Sequence, residues 1–302
     1  MAKRDRKKDI EKLIKKGRGT GIGKEYIPWI RIQDVASLGR VTRVKGIKTG
    51  RQHELLSDME RNFFYILEFS NDVIDIREQY PLLPIEDTMD IAMELGVTHP
   101  KDPKTNEPIV MTTDFLITRN NNDKYVEVAR TIKSKDDLLN KRILEKFEIE
   151  RLYWKRKEID WGIVTENEIN KIIAHNISFV QGYKDIAMVD CFKNIENFEL
   201  RDLIYEFIRR IIEDKRSVRA ICYEFDDDMS LLKGCGLSIY KYLIINKIIE
   251  IDMVKEIDVN KHIPIINVRK EAFKKVEAIW LILIQYINML MIQMKKGLGL
   301  LM

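Results

Sequence analysis

Residues 111–131 read MTTDFLITRNNNDKYVEVART, and this stretch decides the fold. Two runs, 111–118 and 124–131, are rich in β-branched and apolar residues. Between them lie one arginine, three asparagines and one aspartate, a composition typical of a tight turn. The stretch therefore predicts an antiparallel β-hairpin, with Asp114 on its first strand and Glu127 on its second.

Helical and strand patterns flank this hairpin on both sides. Upstream, residues 55–69 carry apolar side chains at helical spacing, and residues 73–80 alternate as a strand that ends at Pro81. Downstream, residues 136–157 indicate a long amphipathic helix opened by acidic residues, and 161–165 a short apolar strand. This order of elements predicts an α/β fold with a mixed sheet flanked by helices.

The pattern changes in the second half of the chain. Beyond about residue 183 strand signals become rare, and helices are expected at 200–212, 218–225 and 237–247. The β-branched run at 248–251 follows them, so we expect a mainly helical, winged-helix-like C-terminal domain. The domain boundary is predicted between residues 165 and 183.

The composition excludes several classes of protein. The chain has 302 residues, of which 45% are hydrophobic and 33% charged, which argues against wholesale disorder, collagen-like repeats and a multi-span membrane protein. Its three cysteines, Cys191, Cys222 and Cys235, form no C-x-x-C pair, so neither a zinc site nor a disulfide framework is indicated. We expect a reducing, cytoplasmic setting, with no secretory signal peptide.

The most apolar stretch of the chain is residues 276–294. Gln285, Asn288 and Gln293 interrupt it, so we do not expect a membrane span. Two alternatives remain for a helix here: it is buried in the C-terminal domain or it docks into the groove of a partner.

Basic residues concentrate at the N-terminus. Residues 1–50 hold fifteen Lys and Arg against five Asp and Glu, whereas the whole chain has a net charge of only +4. A local surplus of this kind favours a polyanionic partner, and without a lipidation signal we expect nucleic acid rather than a membrane. The alternative is a solvated arm without a partner.

Three carboxylates have the spacing of a metal-dependent nuclease. Asp114 and Glu127 lie on neighbouring strands, and Glu60 lies on the helix before the sheet. Hydrolysis of a phosphodiester places negative charge on the reacting phosphate, which Mg²⁺ held by carboxylate oxygens neutralises. Without a metal, Glu60 fits a capping box with Ser57, and the two strand acids fit the solvent side of a hairpin.

Longer stretches of sequence make the interpretation more specific. The segments GRGTGIGKEYIPWI, GIKTGRQHELLSDMERNFF, VIDIREQYPLLP, MTTDFL and ILEKFEIERLYWKRK occur in this order. They resemble TnsA, the endonuclease subunit of heteromeric cut-and-paste transposons, strongly over residues 17–165 and more faintly beyond. The resemblance implies the restriction-endonuclease-like fold of the PD-(D/E)xK nucleases, with a mixed sheet flanked by helices.

The resemblance also implies the residues of the site. The helical acid of the family falls on Glu60 and its metal-binding aspartate on Asp114. Glu127 and the backbone carbonyl of Val128 become further ligands for Mg²⁺, with Mn²⁺ as a possible substitute. The catalytic lysine of the family falls on Ala129.

An alanine at the lysine position departs from the family pattern. Its side chain carries no charge and donates no hydrogen bond, so we expect impaired cleavage. Either Ala129 is a deliberate Lys-to-Ala change, or a neighbour has taken over, with Arg130, Lys133 and Lys135 as candidates. Arg130 is the least favoured of these, because adjacent residues of a strand project to opposite faces.

The implied function is nicking of the 5′ ends of a transposon in double-stranded DNA. The implied partners are a TnsB-like DDE transposase and a TnsC-like AAA+ ATPase. Two alternatives remain, a non-catalytic docking and DNA-clamp subunit, and a free-standing nuclease.

The resemblance also suggests a domain organisation. We expect a basic arm and the start of the nuclease domain in residues 1–50, the nuclease domain in 51–170, and a helical partner-binding domain in 171–302.

Overall fold

The computed structural model describes residues 6–34 and 40–269, and the side chains of these except 6–9. The chain divides into two compact units, Met1–Ser178 and Phe179–Met302. No helix in these described ranges is long and apolar enough to cross a membrane. The apolar run at 276–294 lies outside the described residues.

The first unit contains five α-helices and six β-strands among its described residues. Its helices are α1 (Arg6–Lys15), α2 (Asp58–Phe69), α3 (Ile85–Glu94), α4 (Lys141–Arg156) and α5 (Lys171–Val180), the last of which runs across the unit boundary. Its strands are β1 (Thr42–Lys45), β2 (Gln52–Leu55), β3 (Val73–Pro81), β4 (Thr112–Asn121), β5 (Lys124–Ile132) and β6 (Asp160–Val164).

A four-stranded mixed sheet forms the centre of this unit. Its strand order is β3-β4-β5-β6, with antiparallel pairs between β3, β4 and β5 and a parallel pair between β5 and β6. The β4–β5 pair is the hairpin expected from residues 111–131. A mixed α/β sheet flanked by helices, as the sequence predicts, is therefore confirmed.

Helices cover both faces of the sheet. Neighbouring residues of β4 point to opposite faces, so the strand contacts a helix on each side. Phe115 packs against Phe63 of α2, with ring centroids 5.7 Å apart. Leu116 projects to the other face, into an apolar cluster that includes Ile149 and Trp154 of α4. The sheet thus lies between α2 on one side and α4 on the other.

The helix expected at 136–157 begins later than predicted. Residues Asp136–Leu139 form a 3₁₀ turn, and α4 starts at Lys141. The Asn140 side chain accepts a hydrogen bond from the backbone N–H of Arg142 at 2.8 Å and caps the helix. The acidic residues therefore precede α4 instead of opening it.

Two features of the first unit had no sequence prediction. Strands β1 and β2 form a separate antiparallel hairpin, and α3 follows β3 directly. Both are short, and α3 has no side-chain cap, since Pro84 occupies the N-cap position.

The second unit is mainly helical, as predicted. Its helices α6 (Asn197–Glu213), α7 (Val218–Asp228) and α8 (Cys235–Ile245) precede a short antiparallel pair, β7 (Ile249–Glu250) and β8 (Asn267–Val268). Three helices followed by a β-pair is the element order expected of a winged-helix-like unit. The boundaries lie within three residues of the expected helix limits.

Candidate active site

Two of the predicted acids, Glu60 and Asp114, line one cavity of about 510 Å³ in the first unit. Glu60 enters it from the first turn of α2, and Asp114 from the start of β4. The Gln79 amide on β3 connects them, because its Nε2 lies 3.5 Å from Glu60 Oε2 and 3.2 Å from Asp114 Oδ1. The fold therefore brings together two carboxylates that are 54 residues apart in the sequence.

Glu60 caps its helix and faces the cavity at the same time. Its backbone N–H donates to Ser57 Oγ at 3.1 Å, and Ser57 Oγ donates to Glu60 Oε1 at 3.0 Å. Glu60 Oε2 accepts from the backbone N–H of Leu56 at 3.0 Å. The capping interpretation and the site interpretation are thus compatible, because the cap fixes the carboxylate beside Asp114.

Asp114 is anchored where β4 and β5 stop pairing. The register of the two strands runs from Asn121–Lys124 to Phe115–Arg130, one position short of Asp114. At that point Asp114 Oδ2 accepts the backbone N–H of Ile132 at 2.7 Å. A side-chain carboxylate therefore takes the place of a backbone acceptor at the edge of the cavity.

Burial holds both acids towards their protonated forms. Burial raises the pKa of Glu60, and the adjacent charge of Asp114 raises it further. Burial also raises the pKa of Asp114, against the opposing effects of the Ile132 N–H, the Gln79 amide and the Lys133 ammonium. Two buried carboxylates on one cavity are suited to binding a cation, which would favour their ionised forms.

Glu127 lies away from this pair. In the register of the hairpin it is opposite Thr118, four residues beyond Asp114 and so about 13 Å along the strand. There it forms an ion pair with Arg77 of β3, which also donates to Thr118 Oγ1 at 3.0 Å. The structure does not bring Glu127 to the cavity.

Val128 and Ala129 are also remote from the cavity. Val128 pairs with Ile117, and Ala129 pairs with Leu116. Ala129 is 0% exposed and belongs to the apolar cluster beneath α4. The Ala129 side chain is therefore closed off from a substrate and packs in the core.

Among the three alternative cations, only Lys133 lines the cavity. Its Nζ lies 3.2 Å from Asp137 Oδ2, and its charge acts on Asp114. Arg130 instead donates to Asp160 Oδ2 at 2.6 Å, and Lys135 is exposed outside the cavity lining. The candidate for the lysine is thus four residues further along the chain than expected.

Glu150 of α4 also lines the cavity, and sequence reasoning missed it. Its Oε1 accepts from Thr113 Oγ1 at 2.6 Å and from Trp161 Nε1 at 3.0 Å, with a further bond from Thr131. Burial raises the pKa of Glu150 to about 7. The sequence did hold a signal for it. Glu150 lies seven residues after Ile143, so it is an acidic residue on the apolar side of the predicted helix.

Two further cations lie beside the site on α4. Lys146 lines the cavity, and Arg142 is one turn before it. Partial burial lowers the pKa of Lys146, and the like charges of Arg142 and Lys133 lower it further. Arg142 pairs with Glu145 at 2.9 Å, but the structure gives Lys146 no acidic partner within the described ranges. This end of α4 is therefore suited to an anion.

The donor set fits a hard divalent cation. Within the part of the chain that the structure describes, no three His, Cys, Asp or Glu side chains form a group that could hold a metal ion by themselves. Mg²⁺ and Mn²⁺ do not require such a cage, because Mg²⁺ is commonly bound by one or two carboxylates and keeps several waters. Glu60 and Asp114 provide this number of carboxylates beside an open cavity.

Comparisons with known proteins match both halves of the chain. The domain family described as TnsA-like endonuclease N terminal matches residues 70–166, and the one described as TnsA endonuclease C terminal matches residues 168–253. The chain is also 37% identical over 254 residues to the Transposon Tn7 transposition protein TnsA of Escherichia coli. That alignment covers 83% of this chain and 88% of the relative.

Proposed function

The chain belongs to the TnsA family of transposition endonucleases, and on that premise we propose that it nicks the 5′ ends of a transposon in double-stranded DNA with Mg²⁺. The observation that carries the proposal is the convergence of Glu60, Asp114 and Lys133 on one cavity. Mn²⁺ is the expected substitute, because it accepts the same oxygen ligands.

Each of these residues has a role that its position supports. Glu60 and Asp114 would hold the metal ion, and the backbone carbonyl of Ile132, which lines the same cavity, would replace that of Val128 as the candidate main-chain ligand. When bound, Mg²⁺ supplies charge neutralisation at the phosphate and a more acidic water. The Lys133 ammonium orients the attacking water and offsets the negative charge that develops on the phosphate.

This arrangement favours an active enzyme. The expectation of impaired cleavage rested on an alanine at the lysine position, but Ala129 lies in the apolar core and Lys133 lines the cavity. The non-catalytic docking subunit is therefore the second candidate, and it requires that these residues serve only to hold DNA.

Partner proteins remain part of the proposal. Family membership supports a TnsB-like DDE transposase that cuts the 3′ ends and a TnsC-like AAA+ ATPase that binds the helical second unit. We propose that cleavage depends on this assembly, which distinguishes the chain from a free-standing nuclease.

A strand-cleavage assay tests the proposal. The protein is mixed with its transposase, its ATPase regulator, labelled transposon-end DNA and Mg²⁺, and 5′-end nicks are counted. Asp114→Asn and Lys133→Ala should each reduce the nicking rate by about 10²–10³-fold, the loss typical of removing one electrostatic group from an active site.

The control is Lys155→Ala, which removes one positive charge from an exposed position at the other end of α4. It should nick at the wild-type rate. Equal nicking by Asp114→Asn and wild type would refute the assignment of the site, and DNA binding without nicking by the wild type would favour the docking subunit.

A further inference from the structure

Gln79 is a buried amide that contacts both site carboxylates and has no role in the function proposed so far. It is 3% exposed and lies on β3 next to the cavity. Its Nε2 donates towards Glu60 Oε2 at 3.5 Å and to Asp114 Oδ1 at 3.2 Å. The amide nitrogen is therefore placed between a helix and a strand that carry like charges.

The orientation of this amide follows from its second contact. Thr112 Oγ1 donates to Gln79 Oε1 at 3.2 Å. Because the carbonyl oxygen can only accept hydrogen bonds, this contact directs the two N–H groups towards the carboxylates. When both acids are ionised, as cation binding requires, a flipped amide would place Oε1 against their oxygens, so the observed orientation is the one that satisfies all three neighbours.

The backbone of Gln79 also departs from strand geometry. Its φ is +49°, in the left-handed region that a non-glycine residue rarely adopts. On the same strand, the Arg77 guanidinium lies 5.5 Å from the ring centroid of Tyr80, three residues away. A left-handed backbone conformation is strained for a residue with a side chain, and residues of this kind concentrate at functional sites.

We propose that Gln79 is a positioning residue that holds Glu60 and Asp114 at the separation at which they bind one divalent cation. This inference deepens the proposed function, on whose metal site it rests. A neutral donor suits the task, because it bridges the two carboxylates without the positive charge that would compete with the cation. Each acid also keeps its own backbone anchor, Leu56 for Glu60 and Ile132 for Asp114.

The test measures metal binding directly. Mn²⁺ is titrated into the full-length protein by isothermal calorimetry, for the wild type and for Gln79→Gly. Glycine removes the amide but accepts the positive φ, so the backbone is not strained by the substitution. We expect Mn²⁺ affinity to fall by about 10–100-fold, the range for loss of a group that orients metal ligands.

A graded variant and a matched control sharpen the result. Thr112→Val leaves Gln79 in place but removes the contact that orients its amide, so its loss of affinity should be smaller than that of Gln79→Gly. Asn122→Gly makes the same kind of backbone change at φ +49° in the hairpin turn, outside the cavity, and should bind Mn²⁺ as the wild type does.

The outcomes separate this inference from the proposed function. Wild-type Mn²⁺ affinity in Gln79→Gly, with a lowered melting temperature, would overturn the inference and leave Gln79 as a packing residue. Tighter binding would also overturn it, since the amide would then compete with the cation. If the wild type binds no Mn²⁺, or Asp114→Asn binds it equally well, the metal site of the proposed function fails instead.

Discussion

Ala129 shows how far the role of a single residue depends on where its side chain points. It is fully buried among apolar side chains that include Leu116 and Ile149. A lysine there would bring an unpaired charge and three additional methylenes into a close-packed core. Lys133, which does line the cavity, is already present in the chain.

We therefore expect Ala129→Lys to lower stability without raising activity. Overpacking alone costs about 1–3 kcal/mol, and the buried ammonium adds to that cost. Chemical unfolding in urea and the nicking assay measure the two effects on the same preparation. An active, equally stable Ala129→Lys protein would show that the strand carries its lysine at position 129 after all.

Lys146 supports a prediction about DNA binding. It lies at the cavity near Arg142 and Lys133, where burial and then these like charges lower its pKa, and it has no acidic partner within the described ranges. A backbone phosphate next to the reacting one would relieve this repulsion. Each contact with a phosphate releases about 0.9 counterions, so each one makes the affinity for DNA fall more steeply as the salt concentration rises.

Lys146→Ala should reduce the salt dependence of DNA binding by about one unit in the slope of log K against log salt. Fluorescence anisotropy with end-labelled duplex at several salt concentrations measures that slope. Lys155→Ala, on the same helix and outside the cavity, should keep the wild-type slope. Identical slopes for all three proteins would exclude a phosphate contact at Lys146.

At the scale of the element, the hairpin explains why part of the site was predicted and part was not. Its composition predicted both strands and put Asp114 on the first of them, where the structure has it lining the cavity beside Glu60. The lysine position was assigned from the Glu-x-Lys spacing after Glu127. That assignment did not take into account which residues of the two hairpin strands lie opposite each other. Asn122 and Asp123 both have positive φ and form a two-residue turn closed by the pair Asn121–Lys124.

That turn fixes every cross-strand pair beyond it. Counting back from it places Thr118 opposite Glu127 and brings the end of β5, near Ile132, beside Asp114. The turn residues were visible in the sequence, so the register was in principle predictable. Gln79 was not, because its role depends on a left-handed backbone in β3 that no local pattern indicates.

The attachment of the β1–β2 hairpin to β3 depends on one buried glutamate. Glu78 is 0% exposed and accepts hydrogen bonds from Arg51 Nη1 and from the backbone N–H of Glu54, at 2.7 and 3.2 Å. Its Oε2 lies 2.7 Å from His53 Nδ1. Burial opposes ionisation of Glu78, but His53 and Arg51 outweigh it and lower its pKa to about 2.

This lowered pKa predicts the pH dependence of stability. The carboxylate contributes stability that is fully present above its unfolded pKa of 4.5 and is lost as the pH falls towards about 2. The shift corresponds to about 3 kcal/mol. Glu78→Gln should therefore be less stable at neutral pH, and its free energy of unfolding should fall less steeply as the pH is lowered.

Urea unfolding between pH 6 and pH 2 measures this pH dependence of the free energy of unfolding. Glu94→Gln is the control, since Glu94 pairs with Arg156 at an exposed position. This substitution should leave the pH dependence of stability as in the wild type. Parallel pH profiles for Glu78→Gln and the wild type would show that Glu78 is not the group that titrates.

At the scale of the whole molecule, the basic surplus of residues 1–50 is not a uniform DNA-binding arm. Tyr26 and Trp29 are buried, and Tyr26 Oη donates to the backbone carbonyl of Glu78 at 3.1 Å. Arg18 is also buried and donates to the carbonyl of Trp29 at 2.7 Å. Part of the N-terminal charge therefore stabilises the first unit, and only the exposed cations remain for a polyanion.

The division into two units predicts where a metal ion acts. Glu60, Gln79, Asp114 and Lys133 all lie in Met1–Ser178, whereas α7 and α8 belong to the second unit, where Phe225 of α7 is fully buried. A ligand that binds only the native state stabilises it by about 2.7 kcal/mol at one hundred times its dissociation constant. Amides that exchange through opening of the site should therefore slow on addition of Mn²⁺.

Hydrogen exchange followed by mass spectrometry should show this slowing in peptides that contain Leu56 and Ile132, whose N–H groups donate to the site carboxylates. Peptides from α7 and α8 should exchange at unchanged rates, because no residue there lines the cavity. Asp114→Asn should abolish the response at both site peptides. Slowing confined to the second unit would place the metal elsewhere and contradict the site, whereas slowing in both units would show that metal binding is coupled across the whole chain.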